Sequence, residues 1–550
     1  MGDNLLLYLR GQWGHEYDRG SVALVDQLYR NRDRVLGDAL ESQPAFIGAP
    51  IFSYPYNGYT EFKAANALRA GNVFMGTNDG MMHAFAADTG VERWAFIPSM
   101  VIPNLWRLAD KQYRDKHTNY VNGSAITTDI CTANCANAFN VSTPGTNPVW
   151  KTILVAGLNG GGRGFFALDI SNPSLPTLLW EFTTGAGIGT TKDNDLGYTF
   201  GQPVITQKTD GTWVVVLTSG YDNGTDSPQK VSGSFVANSP AGSGKGYLYV
   251  LNAGTGAIIS KIDSGVGTAA APSGLAKIAG FNTEPTGNKV SFFYGGDLLG
   301  NLWRFDINSS TVATIGTGSA FKLATLFSEA AATNPQPIMT TPQLGKIGGK
   351  RVVFIGTGKY LEIADLSTTL QQTQYAIKDD DATSTLVNPR TTLVQQFLIN
   401  NPDGTNTRVA SGTASSVTAS NPVDFSSGRG WFVDFPASRE RVNIDSKLIL
   451  GTLLVPSIVP SATECSPGGS GFLNFFDFQT GAAVVATPGI VSVGYASPIV
   501  GINVLFIGGK PVAEVVTASD PTPTINNNVA FKGAAAGFSG KRVLWRELIP

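Results

Sequence analysis

Short apolar, β-branched runs recur along the chain. Each closes on Gly or Gly-Gly and is followed by an alternating aromatic run that ends in Asp or Asn. The clearest copy is Val73–Asp88, where Val-Phe-Met-Gly-Thr turns through Asn78-Asp79-Gly80 into Met-Met-His-Ala-Phe-Ala. Further copies are Thr152–Asp169, Trp213–Gly220 resumed at Gly246–Asn252, Val290–Asp306, and Val352–Gly358 with Tyr375–Lys378. Leu448–Leu454 with Gly471–Asp477 follows, and a weaker copy is Val504–Thr517. Alternation at period two gives each strand one face for a core and another for a neighbour. No such unit buries its faces alone; radial stacking buries them and leaves only short edges. The pattern therefore predicts an all-β fold of the β-propeller type. Thr89-Gly90, Thr255-Gly256 and Thr480-Gly481 supply turns after three copies. Trp94, Trp180, Trp213, Trp303, Trp431 and Trp545 lie on or beside the strands, where packing between blades accounts for them.

Spacing between copies is irregular, and the excess sits in insertions at Asp222–Gly244, Ile363–Gln374 and Asp379–Phe425. Loops of that kind on a rigid scaffold carry binding function, and deleting Asp222–Gly244 or Asp379–Phe425 is expected to spare folding. Residues 1–62 form a lead-in to a propeller at 63–550. Within it Leu5–Leu40 reads as partly helical and Glu41–Phe62 as extended and Tyr-rich. A strand in Glu41–Phe62 is expected to pair with the last repeat, Val504–Trp545, closing the ring. Helical spacing of Leu105, Leu108 and Tyr113 predicts a helix over Ile102–Lys116, and Ser411–Asn421 reads as a solvated loop.

Composition sharpens this picture. Charged residues are 15% of the chain against about 25% for typical domains, so Ser, Thr, Asn and Gly build the surface, as suits an exported protein. The 64 glycines match the many turns of a meander. A net charge of −2 with no basic run disfavours nucleic acid, and no apolar stretch is long enough for a transmembrane helix. Met1–Arg30 lacks the pattern of a signal peptide, so the chain is expected to be a fragment of a longer protein. Cys131 and Cys135 are candidates for a local disulfide; two free thiols, or a bridge from one of them to Cys465, are the alternatives.

No catalytic motif is present. Gly242-Ser-Gly-Lys245-Gly246 lacks the Ser or Thr of a phosphate loop, and Gly160–Gly164 reads as a turn between strands. His15, His83 and His117 are far apart in sequence. Carboxylates gather at Asp193/Asp195, Asp222/Asp226 and Asp379-Asp380-Asp381. Asp222-Asn-Gly-Thr-Asp226 has the oxygen-rich, Gly-bent look of a small calcium loop, without the closing Glu; a polar turn is the simpler reading.

Val73–Phe85 with Ala95-Phe-Ile-Pro98 resembles the C-terminal domain of the PilC/PilY family of type IV pilus tip proteins. The likeness extends through Leu36-Gly37-Asp38, Gly161–Asp169, Leu196–Pro203, Val214–Tyr221 and Gly295–Asp306. It continues at Gly356–Leu361, at Gly430-Trp431 with Glu440-Arg441, and at Trp545-Arg546-Glu547-Leu548. The resemblance implies a modified seven-bladed β-propeller with quinoprotein-like repeats, long loop insertions and a few short helices. It implies a non-enzymatic protein of the pilus tip and outer-membrane surface that promotes assembly, opposes retraction and mediates adhesion. The implied partners are minor pilins and a host-cell or abiotic surface. Calcium is the cofactor the family suggests, held in an acidic loop before the motif that here reads Tyr294-Gly-Gly-Asp-Leu298. Residues 282–291 occupy that place, and the ligand positions fall at Thr283, Pro285, Gly287 and Ser291, none of them a carboxylate, so calcium binding there is expected to be lost. Alternatives are a quinoprotein-like enzyme, disfavoured because no two cysteines are adjacent, and a periplasmic assembly scaffold.

Overall fold

The computed structural model describes residues 2–532 apart from 19–22, 136–146, 186–188, 225–229, 232–233, 236–240, 285–286, 382, 462–467, 486–488, 521 and 528. Two units divide the chain: Met1–Ala276 with Asn282–Ser291 and Asp306–Ser319, and Lys277–Phe281 with Phe292–Phe305 and Ala320–Pro550.

The first unit opens with helix α1 (Gly2–Leu9), a short strand β1 (Ala45–Ile47) and helix α2 (Tyr59–Ala65). β2 (Asn72–Thr77), β3 (Met81–Ala86) and β4 (Glu92–Phe96) complete a four-stranded sheet in the order β1-β2-β3-β4. A second sheet runs β5 (Ile126–Ala133), β6 (Val149–Gly157), β7 (Gly164–Asp169), β8 (Thr177–Thr183), β9 (Thr191–Lys192). A third meander is built from β10 (Val204–Gln207), β11 (Trp213–Thr218), Tyr247–Asn252 and Ile258–Asp263. In the second unit Lys350–Gly356 pairs with Thr373–Asp379, Thr452–Pro460 with Gly469–Asp477, and Ile499–Ile507 with Lys510–Thr517. Lys289–Gly296 neighbours Asn301–Asp306 in the same way. Every repeat read from the sequence is thus an adjacent strand pair, with registers such as Val73↔Phe85 and Val155↔Ala167.

Indoles lock neighbouring repeats together. Trp94 Nε1 donates to the Pro173 carbonyl at 3.0 Å, Trp180 to Ala253 at 2.9 Å and Trp431 to Phe478 at 3.1 Å. Each acceptor lies in the turn region of the following repeat, so the outer strand of one meander is pinned to the next. The turn glycines seat these rings. Gly256 and Gly481 hold φ of 71° and 67°, and a Cβ at either would come within 2.6 Å of the indole of Trp180 or Trp431. Trp303 differs, donating within its own hairpin to Asp297 at 2.9 Å. The Tyr-rich stretch fills the first unit's core, where Tyr54, Tyr59, Trp150 and Trp213 pack tilted or edge-to-face with centroids 4.8 to 5.9 Å apart.

The strand expected in Glu41–Phe62 forms as β1, which pairs with β2 (Ala45↔Phe74, Ile47↔Asn72) and opens the first sheet; the end of the last repeat, 533–545, lies outside the described residues. Arg69 fixes that choice by clamping the Gly48 carbonyl with Nε at 2.8 Å and Nη2 at 2.5 Å, folding the chain straight back onto β2. The helix expected over Ile102–Lys116 is two 3-10 segments, Ile102–Ala109 and Tyr113–Asp115. The Asn104 carbonyl is taken by the Tyr120 hydroxyl, and the Leu108 carbonyl by Tyr8 and Arg30, so side chains claim acceptors an α-helix would use. Asp110 then breaks the run in an extended conformation.

Candidate functional site

Each carboxylate group singled out above has a basic side chain beside it. Lys261 Nζ lies 2.8 Å from Asp193 and 2.6 Å from Asp195, over the ring of Tyr247. Buried Asp379 receives Arg304 at 2.6 Å and Arg351 at 3.4 Å, while Asp381 is paired with Arg351. Asp380 faces Arg429 at 3.7 Å and Lys378 at 4.0 Å. The Asp222 carbonyl accepts from Arg163, whose Nη2 is 3.9 Å from the carboxylate. Asp226 lies outside the described residues. Among the described residues no three His, Cys, Asp or Glu side chains converge to hold a metal.

Residues 282–291 join two paired strands, Ile278–Glu284 and Lys289–Gly296. Two carbonyls of this loop are already engaged. The Gly287 carbonyl takes the Tyr56 hydroxyl at 2.8 Å, and the Asn288 carbonyl takes Thr206 Oγ1 at 2.7 Å and the Gln207 amide at 3.1 Å. Pro285 is outside the described residues. The donor set therefore fits calcium poorly: no carboxylate stands at the aligned positions, and the carbonyls serve the fold. Cys131 and Cys135 are joined as a disulfide with Cα atoms 5.7 Å apart, at the end of β5. Cys465 lies outside the described residues.

The insertions are held rather than hung. Within Asp379–Phe425, Val394–Asn400 and Thr407–Ser411 form a hairpin whose outer edges are both paired. Val394–Asn400 runs parallel to Gly430–Asp434, and Thr407–Ser411 antiparallel to Ile490–Tyr495. The expectation that deleting this insertion would spare folding is thereby corrected, since deletion removes two strands and three ladders of a ten-stranded sheet. Two adjacent residues do the anchoring. Glu440 receives Arg408 in a buried bidentate pair at 2.9 and 2.9 Å and accepts Ser457 Oγ at 2.7 Å. Arg441 donates to the carbonyls of Lys359, Asp365 and Thr368 at 2.7 to 2.9 Å, pinning the insertion at Ile363–Gln374. Most of Asp222–Gly244 lies outside the described residues.

The lead-in clasps the first sheet through a motif pair that sequence reasoning did not connect. The Gly37 amide donates to Asp79 at 2.9 Å; the Asn78 amide and side chain donate to Asp38, each at 2.9 Å. A Cβ at position 37 would collide with the Asp79 nitrogen, which explains the glycine. Asp79 also accepts Met81 N at 3.1 Å and His83 Nε2 at 3.1 Å, while His117 lies 3.0 Å from Asp38. Burial opposes charge on Asp79 and on His83, but the bond between them outweighs it: the carboxyl is held below its ordinary range and the imidazole above. Asp297 occupies the same hairpin position in its own repeat, taking Asn301 and Trp303 instead. Against this clasp opens a cavity of about 190 Å³, walled by Tyr8, Leu9, Leu108 and Tyr113 and by Arg30, Arg32 and Arg34.

Meanders interlocked by indoles, with their insertions anchored in sheets and loops, define a β-propeller scaffold. Residues 36–410 match the model of the PilY1 beta-propeller domain, and the chain belongs to this family. A type IV pilus biogenesis factor PilY1 homolog of Xylella fastidiosa is 30% identical over 98% of this chain and 40% of its own length. Type IV pilus biogenesis factor PilY1 of Pseudomonas aeruginosa strain PAK is 31% identical over 87% of this chain and 40% of its own length. The chain thus spans about two-fifths of these relatives. The crystal structure of the Pseudomonas aeruginosa PilY1 C-terminal domain superposes with a TM-score of 0.63 at 26% identity, covering 88% of this chain and 99% of that one.

Proposed function

We propose that this chain is the propeller part of a type IV pilus biogenesis factor, acting at the pilus tip and outer-membrane surface without catalysis. Each of the seven repeats is one blade in this reading. The domain promotes pilus assembly, opposes retraction through contact with minor pilins, and presents its insertions to a host-cell or abiotic surface. The family match across 36–410 carries the proposal, with relatives that are themselves pilus biogenesis factors. Removing the segment that encodes this chain should cost the host its surface pili; unchanged piliation would refute the assignment. Adhesion is tested by point changes at exposed positions of the anchored insertion, such as Val417→Asp, because deletion would damage the scaffold. Attachment unaffected by a set of such changes would remove the insertion from the adhesive role.

Calcium is not part of this reading at 282–291. The absence of carboxylates at the aligned positions, and the carbonyls already bonded to Tyr56, Thr206 and Gln207, argue against a site. A calcium titration giving a tight site abolished by Glu284→Ala would contradict it.

A further inference from the structure

We propose that the cavity beside the Gly37–Asp79 clasp is a binding site for a carboxylate on a short apolar stem, presented by a partner protein as a Glu side chain or a chain terminus. This rests on the geometry of the first unit alone and stands or falls independently of the pilus assignment.

The carboxylates that line the cavity are already engaged. Asp38 takes Asn78 and His117; Asp79 takes Gly37, Thr77, Met81 and His83. The Leu108 carbonyl takes Tyr8 at 3.1 Å and Arg30 Nε at 2.6 Å. Arg32 is equally committed, to Glu16 at 2.7 Å and to the carbonyls of Tyr8 and Gln12 at 2.7 and 3.0 Å. What stays unused is donor capacity. The Nη groups of Arg30, whose guanidinium lies 4.5 Å from the Tyr113 ring centre, have no bonding partner among the described residues, and neither has any part of the Arg34 guanidinium. Two open guanidiniums beside engaged carboxylates favour an anion, and a planar fork matches a carboxylate in two parallel bonds.

A second observation strengthens the sign. Arg107, one residue before the cavity wall at Leu108, is 7% exposed, and its Nε and Nη1 find no acceptor. Among the described residues no acceptor meets these two nitrogens, and a buried guanidinium left so is costly. An anion in the cavity would offset that excess of positive charge. The walls decide the rest. Leu9, Leu108 and the rings of Tyr8 and Tyr113 suit a short aliphatic stem, and about 190 Å³ admits a side chain rather than a whole metabolite. Asp38 and Asp79 in the lining disfavour a doubly charged phosphate relative to a monoanion.

The test is titration calorimetry on the whole chain with three amide-protected tripeptides: one with an internal Glu, one with a free C-terminal carboxylate, and one with Gln and no carboxylate. At least one carboxylate peptide should bind one-to-one and the Gln peptide should not; which of the two binds identifies the source. Arg34→Gln, a change at an exposed side chain, should weaken binding about tenfold with the melting temperature unchanged, and Arg34→Glu should abolish it. No binding by either carboxylate peptide, equal binding by the Gln peptide, or binding unchanged in Arg34→Glu would overturn the proposal. So would inorganic phosphate binding more tightly than both carboxylates.

Discussion

Replacing Arg408 by Ala is the sharpest perturbation of the anchored insertion. In the native chain the guanidinium and the Glu440 carboxylate meet through two bonds of 2.9 Å, at 2% and 0% side-chain exposure. The guanidinium carbon also sits 3.4 Å from the centre of the Phe472 ring. Truncation leaves Glu440 buried with only the Ser457 hydroxyl and the Ala437 amide, at 2.7 and 3.3 Å. Removing one partner of a buried pair costs about 3–5 kcal/mol, because the remaining charge is uncompensated. Since Arg408 lies on the hairpin strand and Glu440 outside the insertion, the loss falls on the docking of Val394–Ser411. Amides of the Phe397↔Ser411 to Asn400↔Arg408 ladder should therefore exchange with solvent at least about a hundredfold faster, by the conversion of 1.36 kcal/mol per decade. Urea unfolding of the second unit should move to lower midpoint in parallel. A double variant, Arg408→Met with Glu440→Leu, removes both charges and should recover most of the stability. Exchange within about threefold of wild type in Arg408→Ala, or a double variant no better than the single one, would refute the anchoring argument.

Three further outcomes follow from the same structure. The His83 imidazole is raised and the Asp79 carboxyl lowered, so the histidine's contribution is fully present below about pH 6.5 and is lost as pH rises through its elevated value, while the Asp79 contribution is lost as pH falls through its depressed one. His83→Gln should accordingly narrow the stability difference between about pH 6 and about pH 9, read by thermal melts; an unchanged difference would contradict it. Gly37→Ala forces a methyl against the Asp79 backbone and should loosen the lead-in by about 1–3 kcal/mol, seen as proteolysis between residues 30 and 44 that wild type resists. Reducing Cys131–Cys135 opens a loop so short that about 2 kcal/mol is the ceiling on the loss, measurable as a modest shift of the denaturation midpoint with reductant. A shift of twice that size would show the disulfide supporting more than its own turn.

The repeats were legible because period-two alternation survives in strands that face a core on one side and a neighbour on the other. Val73–Asp88 reads as a hairpin from its residues alone. What the sequence hid depends on contacts far along the chain. Ala45-Phe46-Ile47 is too short to carry a pattern, and its partner is chosen by Arg69 and by the sheet it joins. The hairpin at Val394–Ser411 sits among Asn, Thr and Ser and reads as loop; its anchor, Glu440, is 32 residues from Arg408. Glu440-Arg441 and Leu36-Gly37-Asp38 stood out as motifs, yet what each binds is visible only in three dimensions. The partners of the carboxylate groups were hidden for a comparable reason: nothing in sequence pairs Lys261 with Asp193, or Arg304 with Asp379.

Counting surface pili decides the central claim most directly. The segment encoding this chain is removed from its gene in the native host, in one strain with retraction intact and in another with it disabled. The account predicts few or no pili in the first and their return in the second, as expected of a factor that promotes assembly against retraction. Normal piliation in both strains would contradict it.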